Sequence, residues 1–164
     1  MLGFAQQNKQ RKGIPTKVMV RAVTSDAKII GDAVGGARIT LRDAATGEVL
    51  AEGIQKGKTG NTELIMGPHG RGATIYDTPG AAGFEATLEL ERPTRVEVTA
   101  EGPLGYPQAR QKASKTVLLV PGHDVLGEGI LLTIHGFIVE VLAPTEEEAP
   151  AGQPLLVQAR VRMA

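Results

Sequence analysis

Cysteine is absent from this 164-residue chain, which excludes disulfides, thiolate metal sites and thiol catalysis. Tryptophan is absent too, and the whole chain has five aromatic rings: Phe4, Tyr76, Phe84, Tyr106 and Phe137. Platforms that stack sugars or bases need exposed rings, so carbohydrate and nucleic-acid binding are disfavoured. Neither sign of charge is in excess. Lysine plus arginine and aspartate plus glutamate both number 18, without the basic surplus of a nucleic-acid binder. No run approaches the roughly 18 apolar residues of a membrane helix. The longest apolar stretch, Ile130 to Leu142, is broken by Thr133, His135, Gly136 and Glu140 and reads as one or two buried strands. Only two serines occur, Ser25 and Ser114, neither in the Gly-x-Ser-x-Gly setting of a nucleophile.

What the chain has is glycine, proline and alternation. Its 21 glycines and 10 prolines suit many short strands joined by turns. Val18, Val20 and Ala22 alternate with Met19, Arg21 and Val23 in a first strand over 17–24. Ala37, Ile39 and Leu41 alternate with Arg38, Thr40 and Arg42, and a turn over Asp43–Gly47 leads to a return strand over 48–53. Phe84, Ala86, Leu88 and Leu90, followed by Val96, Val98 and Ala100, predict a hairpin around Arg92-Pro93-Thr94. Further strands are expected over 115–120 and 129–142, and Tyr106–Ser114 is the one candidate helix. The period of two fixes the class as all-β, and the expected architecture is an antiparallel sandwich of seven to nine strands.

Three segments depart from the pattern. Residues 1–16 form a polar arm that needs something to lie against if ordered. Residues 54–82 are irregular, broken by six glycines from Gly57 to Gly80 and followed by Gly83, with short strands expected at Thr62–Met66 and Ala73–Tyr76. A connection this long serves a function or is clamped. Residues 144–153 (PTEEEAPAGQ) are an acidic Pro/Ala linker. Beyond it Leu155, Val157, Ala159, Val161 and Met163 alternate with Leu156, Gln158, Arg160 and Arg162. A strand after such a linker either folds back on its own chain or pairs with a neighbouring subunit. Those five apolar residues are the candidate interaction residues.

Two segments together resemble the carboxypeptidase regulatory-like domains, an Ig-like or transthyretin-like β-sandwich. They are Gly36-Ala37-x-Ile39-x-Leu41-x-Asp43-x-x-Thr46-Gly47 and Phe84-x-Ala-x-Leu-x-Leu…Pro93-Thr-x-Val-x-Val-x-Ala-x-Gly102. The likeness covers roughly 18–53 and 83–102; the insertion and the strands after 115 depart from it. It implies an exported, non-catalytic accessory or adhesive module, periplasmic or extracellular. The apolar start Met1–Ala5 is too short for a signal-peptide core, and it suits either a native start or the remnant of a removed signal.

Chemistry is sparse. His69, His123 and His135 are the only histidines, and Met66 stands three residues from His69, a ligand pair suited to copper. The alternative reading is a solvated loop residue at His69, a turn cap at His123 and a residue packed in or beside the core strand at His135. Paired carboxylates (Glu89 and Glu91, Glu97 and Glu101) fall on alternate strand positions, which is a solvated face. Gly67-Pro-His-Gly-Arg-Gly72 lacks the Lys-Ser/Thr of a phosphate loop. The expectation is no enzyme, but a structural module that docks to a protein partner or to itself by edge pairing and apolar burial. A particle subunit of the capsid-decoration kind and an extracytoplasmic copper protein are the alternatives.

Overall fold

A computed structural model of the chain describes residues 12–25, 28–144, 152 and 154–164. The expected arm over 1–16 lies outside them except for its end, and so does most of the linker over 144–153. Among the described residues nine strands are present: β1 (Ile14–Thr24), β2 (Ala37–Asp43), β3 (Val49–Gln55), β4 (Phe84–Leu90), β5 (Thr94–Gly102), β6 (Gln111–Leu119), β7 (Val125–Ile134), β8 (Phe137–Ala143) and β9 (Gln158–Met163). The first seven build an all-β sandwich. One layer has the order β4-β1-β7, the other β3-β2-β5-β6, and β8 and β9 form a separate two-stranded sheet. Every pairing is antiparallel except β1 with β7.

Alternation places the core where the sequence puts it. Val18, Val20 and Ala22 of β1, Leu88 and Leu90 of β4, and Ile130, Leu132 and Ile134 of β7 line one layer. Ala37, Ile39 and Leu41 of β2, Val96, Val98 and Ala100 of β5, and Leu119 of β6 line the other. Burying side chains of this size contributes on the order of 1.5–3 kcal/mol each before entropy is set against it. Asp43 shapes the β2–β3 turn: its carboxylate accepts hydrogen bonds from the N–H groups of Ala45 (2.7 Å) and Thr46 (3.1 Å), an Asx-type turn.

Four sequence expectations are corrected. The segments over 84–90 and 94–102 are strands, but they do not pair: β4 lies in one layer and β5 in the other. A turn between layers and a hairpin bury the same alternate residues, so periodicity could not separate them. Thr62–Met66 is a single-turn helix, α1, rather than a strand. Asn61 caps it by accepting from the Leu64 N–H at 3.1 Å, and of its residues only Ile65 is buried. Ala73–Tyr76 is loop. The candidate helix over Tyr106–Ser114 is a 3-10 turn, Pro107–Ala109, followed directly by β6.

The insertion is a second layer of packing. Its two ends are pinched together: Lys58 N–H donates to Gly80 O and Ala82 N–H to Lys58 O, both at 2.8 Å. Ile65 and Ala82 then pack with Val23 and Ile29 in a small core, joined by half-buried Ile75, Tyr76 and Leu131. Val23 lies on the side of β1 opposite Val20 and Ala22, so β1 is covered on both faces near its end. The chain holds down its own insertion, by the clamp described next.

Candidate interaction surface

Two polar devices fix the insertion. Arg21, 3 % exposed, points from β1 away from the main core. Its guanidinium donates to Ala82 O (2.8 Å), to Gly127 O (3.2 Å) and to the Asp77 carboxylate (2.8 Å). A buried charge is stable only with partners of this kind. Opposite it, the Glu128 carboxylate accepts from the N–H groups of Ile75 and Tyr76. Both Gly127 O and Glu128 are presented by a bulge. Val18 faces Val125 and Val20 faces Ile130, so β7 carries extra residues between these pairs. Gly129 makes the bulge possible: φ is +72° and a Cβ there would stand 2.4 Å from Met19 O.

A third device joins the layers. Gln55, fully buried at the end of β3, accepts from Ala22 N–H (2.7 Å) and donates to Ala22 O (3.0 Å) and Ile30 O (2.8 Å). Pairing between β1 and β4 stops at Val20 and Phe84. The Gln55 amide therefore takes the place of a missing strand beside Ala22. In sequence this glutamine was one more polar residue after an alternating run.

The candidate metal residues sit on separate connections. Met66 ends α1 and is exposed, and His69 lies in the exposed loop that follows, its Nδ1 2.9 Å from Gly67 O. His123 is in the β6–β7 turn, where its N–H donates to Val120 O at 3.0 Å. His135 occupies the short link between β7 and β8. Among the described residues no three His, Asp or Glu side chains stand close enough together to hold a metal ion. Of the paired carboxylates, Glu89, Glu91 and Glu97 are exposed, Glu91 just past the end of β4, and Glu101 is partly exposed, 3.5 Å from Arg110. Among the described residues no helix is long and apolar enough to cross a membrane.

The five candidate interaction residues fall on the β8–β9 ribbon or just before it. The C-terminal strand folds back on its own chain, yet it joins neither layer of the sandwich: it pairs only with β8. Phe137 stands opposite Met163, Val139 opposite Val161 and Val141 opposite Ala159. Those six residues form one face of the ribbon, and all six are exposed. Leu155, Leu156 and Val157 precede β9 and are exposed as well, Leu156 at 78 %. The reverse face is finished. Ile138 is fully buried in the main core, and Glu140 lies 3.2 Å from Arg162 and 3.7 Å from Arg160. The Arg162 guanidinium sits 4.2 Å from the centre of the Tyr106 ring. Ala164 N–H donates to Gly136 O at 2.6 Å and closes the base of the ribbon. One face is thus fastened to the sandwich, and the other is a bare apolar strip. No family model, curated protein or solved structure matches the chain.

Proposed function

We propose that the chain is a non-catalytic interaction module that docks through the outward face of the β8–β9 ribbon, to a protein partner or to another copy of itself. The observation that carries this reading is that face: six exposed apolar side chains in cross-strand register and none charged. Contiguous exposed apolar patches of a few hundred Å² often mark binding sites. The resemblance of 18–53 and 83–102 to carboxypeptidase regulatory-like domains supports an accessory module working outside the cytoplasm.

Photo-cross-linking tests this reading. A benzophenone amino acid is placed at Val161 or, as a control, at Glu52 on the charged outer face of the sandwich, and each protein is irradiated in extract of its source cells. A discrete covalent adduct from position 161 and none from position 52 is expected. Adducts from position 52 alone, or from neither position, would falsify docking through the ribbon.

A further inference from the structure

We infer that the occupant of the ribbon face is the same face of a second copy, packed apolar strip on apolar strip. This rests on the reading of the ribbon as a docking surface and names its partner. Two observations favour a second copy, and a third favours packing face to face. First, the face carries no charge, because Glu140, Arg160 and Arg162 all project from the reverse side, where they satisfy one another. A strip of this kind complements itself, whereas a partner with a charged surface would leave groups unpaired. Second, the formal net charge of the chain is zero, so two copies approach without the repulsion that keeps highly charged proteins apart. Third, edge pairing between two copies of β9 is disfavoured. In antiparallel register about Val161, Arg160 of one strand meets Arg162 of the other, and like charges directly opposite destabilise a sheet. Face packing keeps those arginines on the far sides of the dimer.

Area sets the expected strength. Six side chains of these sizes, most of them about half exposed, present on the order of 500 Å². A stable dimer buries about 800 Å² on each partner. The exposed Leu155, Leu156 and Val157 flank the strip and can supply part of the difference. The dimer is therefore expected to be weak to moderate, with dissociation in the range of about 1–100 µM.

The test is sedimentation equilibrium of the purified full chain across that range. Val161 lies in the central cross-strand pair of the face and is 59 % exposed, so Val161→Glu and Val161→Lys leave the fold intact. Leu118→Glu, at an exposed position on β6, is the control. The apparent mass of the wild type and the Leu118 variant should rise with concentration from the monomer mass toward twice that value. Each Val161 variant alone should stay a monomer, with association weakened at least about a hundredfold by burying like charges. An equimolar mixture of the Glu and Lys variants should recover dimer. A wild type that remains monomeric throughout overturns the inference; with a heavier cross-linked adduct from position 161, the docking surface survives and its partner is another protein. Dimers that persist in both Val161 variants place self-association elsewhere and also overturn it.

Discussion

Single side chains do work here that no pattern of alternation announces. Gln55 supplies both a donor and an acceptor to Ala22 of β1, beyond the point where the pairing with β4 ends. Gln55→Leu keeps the volume but orphans Ala22 N–H and removes a bond to Ile30 O. Leaving buried backbone groups unpaired costs about 1–3 kcal/mol each, so urea denaturation should show a loss of about 2–4 kcal/mol with an unchanged slope. Arg21 shows the same limit of sequence reading. The alternation placed it correctly on the face of β1 opposite Val20. It could not tell that this face would be covered, because the cover comes from Asp77, Ala82 and Gly127, at least 56 positions away. Met66, His69, His123 and His135 show the converse: sequence proximity of two of them said nothing about convergence, which depends on three separate connections.

Elements were legible to the extent that each carries its own period. The strands over 17–24, 37–42 and 84–102 declare their buried residues by alternation, and all of those residues lie in the core or beside it. Which strand lies next to which was not legible for 84–102, since a step between layers and a hairpin share one pattern. The insertion resisted for another reason. Its order comes from a bulge in β7 and from side chains outside it. Glu128→Ala should therefore loosen it selectively. Amide exchange at Ile75 and Tyr76 should quicken at least about tenfold, through local opening that leaves the sandwich closed, while global stability falls by only about 1–2 kcal/mol. Equal acceleration across β2 and β5 would show the insertion to be integral to the sandwich instead.

For the molecule as a whole, sandwich and ribbon are unequal partners. The main core draws on all seven sandwich strands, while the ribbon contributes Ile138 and Ala164. A chain ending at Pro144 retains Ile138 and should stay folded. Thermal denaturation followed by circular dichroism should show one cooperative transition a few degrees lower. It should sediment as a monomer, since half of the apolar face is gone. An unfolded truncation would mean that β9 is needed for the sandwich itself.

The parallel pairing of β1 with β7 has a consequence in time. Thr24 meets Ile134, and translation at roughly 5–20 residues per second separates them by about 5–20 s. During that interval β1 can find β4, yet its other edge stays open until nearly the whole sandwich has been synthesised. The C-terminal half of the ribbon follows later still. The exposed apolar strip is therefore completed only after the core it could disturb has had its own strands to close upon, so birth order protects folding from that strip.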